Sequence, residues 1–374
     1  MFLIIISITL IYLLLIVCFI YGFEKLKPFK LINLPAKTNF SVIIPFRNEV
    51  ENLPDLLASI NSLEYPKHLF EIIFVDDSSE DDSSKLILKF LADSQIDIKV
   101  IQNERQTHSP KKDAITTAIK QAKHGWIITT DADCTLPKYW LDSFDEFIQQ
   151  TEATCVAAPV TYQLTNNFLN RFQVLDILSL QGATMGGFGL QKPFLCNGAN
   201  FAYKKETFNT VNGFEGNSNI SSGDDIFLLE KMVKHNSKQV QFLKSEQAIV
   251  TTSSQDSWQQ LINQRLRWAS KTKSYNNWFG KVTGLIVLLM NALIIVSILL
   301  TIFGIVLPKT LFYIVFIKFN IDVLLIYKTA TFYEQREVLR SFLFGFIIYP
   351  FFSCYVAFLS MFKTFKWKGR SFKQ

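Results

Sequence analysis

The residues of this chain best equipped for chemistry are paired carboxylates, and two pairs stand where apolar runs end. Asp131 and Asp133 close "WIITTDAD" (126–133), and Asp76 and Asp77 close "FEIIFVDD" (70–77). β-Branched runs of this kind fill buried strands, and open α/β sheets bind ligands beyond the carboxyl ends of their strands. Four carboxylates along one edge repel one another, a cost that a cation or a donor-rich ligand relieves. Side chains at i and i+2 of extended chain share a side, so Asp131 and Asp133 can address one centre. A hard divalent ion suits such a pair, because Mg²⁺ takes one or two carboxylates and completes its shell with phosphate oxygens and water. The competing reading is that these aspartates cap turns after strands.

A third pair, Asp224 and Asp225, opens a helical pattern in "SSGDDIFLLEKM" (221–232), where the helix dipole favours acids. Capping accounts for one of them. The functional reading makes Asp225 a general base, which must lie within hydrogen-bond reach of an attacking hydroxyl. In "QRLRW" (264–268), Gln264, Arg267 and Trp268 share one helix face through i, i+3 and i+4. Arg267 can stabilise charge on a leaving diphosphate, and Trp268 can stack on a sugar ring. A juxtamembrane helix, with Arg at headgroups and Trp in the aromatic belt, explains the same residues otherwise. There is no GxxxxGK[ST], GxGxxG or HExxH, so phosphates fall to the metal and to basic side chains.

The elements that must position these groups alternate. "FSVIIPF" (40–46), "FEIIFVDD", "IKVIQN" (98–103) and "WIITTDAD" read as strands, with helical spacing in "NLPDLLASINSL", "SSKLILKFLADS" and "PKKDAITTAIKQAK" between them. Runs apolar on both faces predict a mainly parallel sheet covered by helices. Further along, 154–160 and 198–205 read as strands, and 224–235 and 256–271 as helices. Phe172, Leu175, Leu178 and Leu180 offer either an apolar approach for an acceptor or simply core.

Three apolar runs, 2–23, 282–307 and 341–362, reach the ~20 residues that cross a bilayer. The first lacks the basic n-region and cleavage site of a signal peptide, so it reads as a retained anchor at 1–23. Lys25, Lys27, Lys30 and Lys37 follow it, which places the middle of the chain on the cytoplasmic face of the cytoplasmic membrane. The net charge of +6 then needs no nucleic acid; anionic membrane lipids are the simplest partner. The five cysteines show no CxxC pair and no zinc spacing. The expected order is a cytosolic domain at 38–255, a juxtamembrane helix at 256–281, a membrane helix at 282–307, a loop at 308–340, a membrane helix at 341–362 and a basic tail at 363–374. The loop holds a possible interfacial or extra membrane segment at 310–327, interrupted by Lys318, Asn320 and Asp322. Three true crossings are favoured, because a fourth would place the basic tail outside.

Together "VIIPFRNE" (42–49), "VDDSSED" (75–81), "TDAD" (130–133), "GDD" (223–225) and "QRLRW" resemble the family 2 glycosyltransferases, which include cellulose, chitin and hyaluronan synthases. The likeness covers about residues 40–271. It implies a GT-A fold, a Rossmann-like nucleotide-sugar-binding domain. It also implies a membrane-bound inverting transferase of the hexosyltransferase class that uses a UDP-sugar or other nucleotide-diphosphate sugar, Mg²⁺ or Mn²⁺, and a polysaccharide or lipid acceptor hydroxyl. By resemblance Pro45, Asn48, Glu49 and Asp77 fall in the donor site, and Asp131 and Asp133 match the pair that meets the sugar diphosphate and its metal. Asp225 matches the catalytic base, Gln264 and Arg267 the diphosphate segment, and Trp268 and Asp224 the acceptor side. A family lysine near the nucleotide falls at Lys111 or Lys112, with Lys112 the choice. Asp224 stands where many synthases carry Glu, and the membrane part is smaller than in the large extruding synthases. The other reading of function is a catalytically degenerate, membrane-anchored sugar-nucleotide or glycan-binding protein.

Overall fold

In the computed structural model, which describes residues 2–218, 220, 222–362, 365–367 and 370–372, the chain begins with α1 (Phe2–Lys25). Strands and helices then alternate: β1 (Phe40–Phe46), α2 (Leu53–Asn61), β2 (Phe70–Asp76), α3 (Ser83–Asp93), β3 (Asp97–Gln102), α4 (Pro110–Gln121) and β4 (Trp126–Thr129). Next come β5 (Cys134–Thr135), α5 (Trp140–Gln150), β6 (Cys155–Ala157), β7 (Val160–Tyr162), α6 (Phe168–Gly189), β8 (Phe201–Lys204) and α7 (Lys205–Thr210). The remainder is α8 (Asp224–Asn236), β9 (Val240–Phe242), β10 (Val250–Thr252), α9 (Trp258–Ser270), α10 (Trp278–Ile302), α11 (Pro308–Phe332) and α12 (Phe342–Leu359), then a short hairpin of Phe365–Trp367 and Arg370–Phe372.

Seven strands form one sheet in the order β3-β2-β1-β4-β8-β6-β9. Its pairs are parallel except where β8 runs antiparallel between β4 and β6. The runs are apolar on both sides because both faces are covered. Ile43, Ile73 and Ile127 pack with Ala114 of α4, Leu178 of α6 and Leu228 of α8. Val42, Ile44 and Ile128 pack on the opposite face with Leu56 of α2 and Phe144 of α5. Phe172, Leu175 and Leu178 are buried and Leu180 packs against them, so this stretch is core. All five cysteines are free thiols.

Two clamps fix the catalytic sheet to the first helix. Lys244 donates to the carbonyls of Phe23 at 2.7 Å and Leu26 at 3.0 Å, satisfying groups that a helix C-terminus leaves open. Asp145 and Glu146 of α5 accept from the backbone N–H groups of Ile32, Leu34, Lys37 and Thr38, so the linker after the anchor is held extended. α6 lies against α1 through glycines: a Cβ on Gly189 would stand 1.8 Å from the Gly22 carbonyl oxygen, and one on Gly186 2.6 Å from that of Phe19.

Among the described residues, four helical segments are long and apolar enough to cross a membrane: Phe2–Lys25, Trp278–Ile302, Pro308–Phe332 and Arg336–Leu359. The stretch expected as a loop at 308–340 is therefore mostly helix. Its charges are accommodated inside the bundle, where buried Lys318 pairs with Asp322 one turn on and Asp322 accepts from the Tyr12 hydroxyl of α1, the condition under which ionisable residues persist there. Half of the basic tail at 363–374 lies outside the described residues.

Candidate active site

The site is built where the sheet's carboxyl edge meets α8 and α9. β4 ends at Thr129, earlier than its sequence pattern suggests, so Asp131 and Asp133 lie in the turn that leads to β5. Turn geometry, rather than the pleat of a strand, brings the two acids close. Burial, then Asp131, then Glu49 push the Asp133 carboxyl up to about 6. A buried carboxylate crowded by two like charges is what a divalent cation relieves, so this pair fits the expected metal. Among the described residues no cluster of three or more His, Cys, Asp or Glu that could hold a metal ion is found.

Lys111 of α4 stands between the acids. Its Nζ lies 2.5 Å from Asp131 Oδ1 and 3.3 Å from Asp224 Oδ2. Burial would discharge it, but Asp131, Asp224 and Asp225 outweigh that and hold it firmly protonated. Lys112, the residue chosen from the sequence, faces elsewhere: it is buried, donates to the carbonyls of Asn217 at 2.8 Å and Ile220 at 2.9 Å, and lies over the Phe227 ring. Burial lowers its pKa to about 8.

Gly223, in the left-handed conformation at φ 84°, starts α8 and turns Asp224 and Asp225 into the site. Asp225 accepts from the backbone N–H of Ile226 at 2.8 Å and of Gly198 at 3.3 Å, and its Oδ1 is 3.6 Å from Lys271 Nζ. Burial opposes its ionisation, but Lys271 and then Lys111 hold the carboxyl below its ordinary value. Gly198 permits this approach, since a Cβ there would stand 2.8 Å from Asp224 Oδ2.

A capping box on Ser257 starts α9. Arg267 is held in the field of Asp131, Asp224 and Asp133, while burial lowers its pKa. Gln264 accepts from the Tyr162 hydroxyl at 3.3 Å and from Arg265. Trp268 carries the Arg265 guanidinium 4.1 Å from its ring centroid, and Arg265 is itself paired with Asp176 of α6 at 2.7 Å, both buried. The α9 segment is thus oriented by a buried ion pair that the sequence pattern did not reveal.

At the other end of the edge, Asp77 accepts from Asn103 at 2.7 Å and Arg105 at 3.1 Å. Asp76 instead accepts from the backbone N–H of Ser79 and the hydroxyl of Ser84, so for this residue the turn-capping explanation holds. Pro45 pairs with Val75 in the sheet. Asn48, at φ 51°, accepts from the Glu80 N–H, and Glu49 accepts from Asn52. Arg47 joins the two loops through the Asp77 and Ser78 carbonyls. The structure therefore gathers Asp131, Asp133, Asp224, Asp225 and Arg267, sets Lys112 on backbone carbonyls within the field of Asp224 and Asp225, and adds Lys111, Lys271, Asn103 and Arg105. Lys271 was within reach of the pattern, lying one helical turn beyond Arg267.

Residues 41–211 match the description "Glycosyl transferase family 2". Poly-beta-1,6-N-acetyl-D-glucosamine synthase of Staphylococcus epidermidis is 28% identical over 171 residues, covering 43% of this chain and 39% of that protein. Glycosyltransferase AglE of Haloferax volcanii is 30% identical over 127 residues, covering 34% and 40%. The chain thus spans about two fifths of the length of these curated relatives. Among solved structures, the mannosyltransferase PcManGT from Pyrobaculum calidifontis, in complex with GDP-Man and Mn²⁺, superposes with a TM-score of 0.53 at 14% identity, over 92% of this chain and 97% of that one. The fold is GT-A-like, and residues 41–211 resemble glycosyl transferase family 2.

Proposed function

We propose that this protein is a membrane-bound inverting glycosyltransferase that moves a sugar from a nucleotide-diphosphate sugar, a UDP-sugar first among candidates, to a hydroxyl of a glycan or lipid. The observation that carries the reading is the convergence of Asp131, Asp133, Asp224 and Asp225 with Lys111, Lys271 and Arg267, drawn from elements far apart in sequence. Opposed charges at this density suit a reaction in which a diphosphate arrives and leaves.

In this mechanism Asp77, Asn103 and Arg105 receive the nucleoside, with Pro45, Asn48 and Glu49 shaping the adjoining loop. Asp131 and Asp133 hold Mg²⁺ or Mn²⁺, which when bound neutralises the diphosphate oxygens. Asp225 takes the proton from the acceptor hydroxyl as its oxygen attacks the anomeric carbon. The bond to the diphosphate breaks as the new glycosidic bond forms, and the single displacement inverts configuration. Arg267 and Lys111 stabilise the charge on the departing diphosphate, Gln264 orients the segment, and Trp268 and Asp224 meet the acceptor.

The test is to purify the chain with native lipids and offer a panel of nucleotide sugars with Mg²⁺ or Mn²⁺, recording nucleotide diphosphate release and product size. Release with one donor, coupled to a glycan or lipid gaining a sugar, is the expected result. Absence of metal-dependent release with every donor and acceptor would remove the enzyme reading.

A further inference from the structure

A polar groove leads away from Asp133. The cleft that Asp133 lines also contains Gln163 and Ser253, and those two residues begin a second groove that continues past Asn167, Ser254 and Gln255 to Asp256. Gln163, Asn167 and Ser253 are exposed. The groove therefore shares two residues with the cleft that Asp133 lines.

Its two banks are the loops before α6 and before α9, and buried amides bind them together. Asn170 donates to the Gln163 carbonyl at 2.8 Å and to Ser254 Oγ at 2.9 Å while accepting from the Thr165 N–H. Gln173, fully buried, accepts from the Gln255 N–H at 2.8 Å and donates to the Gln255 carbonyl at 2.9 Å. The groove is thus preformed, which lowers the ordering cost of binding.

The chemistry of the lining selects its occupant. Amides and hydroxyls, which both donate and accept, dominate it, and Asp256 is its sole charged residue. Among the described residues that line it none is basic, which disfavours an anion. The helix N-termini at its end are also satisfied internally, by Asn167 for α6 and Ser257 for α9. An apolar chain would cover the exposed Gln163 and Ser253 side chains without offering them partners. Phe168 and Trp258 are partly exposed beside the two caps and offer flat faces suited to sugar rings.

We propose that this groove binds a neutral, polyhydroxylated sugar chain, with one end directed toward Asp133. The proposal deepens the transferase reading, and rests on it only for what becomes of the bound chain. The same chemistry serves a free glycan or the sugar portion of a glycolipid.

The experiment uses the full-length chain in lipid nanodiscs, titrated calorimetrically with glucose and N-acetylglucosamine oligomers of one to six units. A parallel titration presents the same oligomers on a short-chain lipid. Expected is binding that tightens with length by roughly tenfold or more and falls at least as far in the Gln163→Ala/Ser253→Ala variant, with nucleotide diphosphate binding retained as proof of folding. Binding of the soluble series assigns a free glycan, and binding confined to the lipid series assigns a glycolipid headgroup. Length-independent binding, binding indifferent to the variant, or none in either series overturns the groove. Oligomer binding without sugar transfer from any donor leaves the groove standing and removes the transferase reading, whereas transfer without variant-sensitive binding does the reverse.

Discussion

At the level of single residues, the site separates two jobs that acids share in the sequence. Asp133 is crowded by like charges, whereas Asp225 is surrounded by cations and backbone donors. The first environment calls for a cation and the second keeps a carboxylate ionised and ready to accept a proton. Asp225→Asn keeps the size, gives up one of the two acceptor oxygens that Ile226 and Gly198 use, and cannot take the proton. It is expected to lower turnover by about 10²–10⁴-fold while leaving donor binding within a few-fold, as measured by single-turnover kinetics beside nucleotide-sugar titration. Near-normal turnover would remove the base assignment. The companion variant Lys271→Met removes the cation that most depresses the Asp225 carboxyl. The acidic limb of the pH–rate profile should then move to higher pH, because the base protonates earlier as pH falls.

At the level of elements, the strands before the site were legible because burial on both faces demands continuous apolar runs, as in β1 and β2. The acids were legible because each follows such a run or begins a helix. What stayed hidden depends on neighbours distant in sequence. Nothing local distinguishes Lys111 from Lys112; only the placement of α4 beside the 217–220 loop gives one to the carboxylates and the other to backbone carbonyls. The Asp176–Arg265 pair likewise joins helices 89 positions apart. The glycine seam between α1 and α6 is of the same kind. Gly189→Ala forces a Cβ against backbone that has no rotamer to yield, so it should destabilise the protein by about 1–3 kcal/mol, the usual cost of overpacking. Gly284→Ala, whose Cβ meets nothing within 4 Å, is the matched control. Thermal unfolding of both in detergent checks the difference; equal melting temperatures would show that the seam gives way freely.

Across the whole molecule, the four apolar helices set the topology. The sequence favours three crossings because Lys318 and Asp322 interrupt 310–327, yet these charges pair with one another and Asp322 with Tyr12 inside the bundle, and this removes the objection to a fourth. Both ends of α12, however, lie against the domain that carries the site: Gln335 just before it bonds Thr161 and Tyr162, and Phe365–Trp367 just after it lies beside α9. We propose three crossings, by α1, α10 and α11, with the sheet domain and residue 374 both on the cytoplasmic side. A reporter fused after Gln374 should be labelled by an impermeant reagent only after the membrane is opened; labelling of intact cells would raise the count to four. Exposed Lys25, Lys27 and Lys30 then lie at the cytoplasmic headgroups, where anionic lipid attracts them.

The seat of α6 also carries a consequence for how the protein is made. This helix, complete at Gly189, meets α1 on one side, but on another it meets Leu325 and Thr329 of α11, both within 3.1 Å of a Cβ built on Gly182. About 140 residues separate the end of α6 from that partner. At about 5–20 residues per second, the ribosome leaves one apolar flank of α6 uncovered for roughly seven to thirty seconds. During that interval the catalytic sheet is largely synthesised but lacks part of its support, so the chain depends on chaperones or on prompt membrane insertion until α11 arrives.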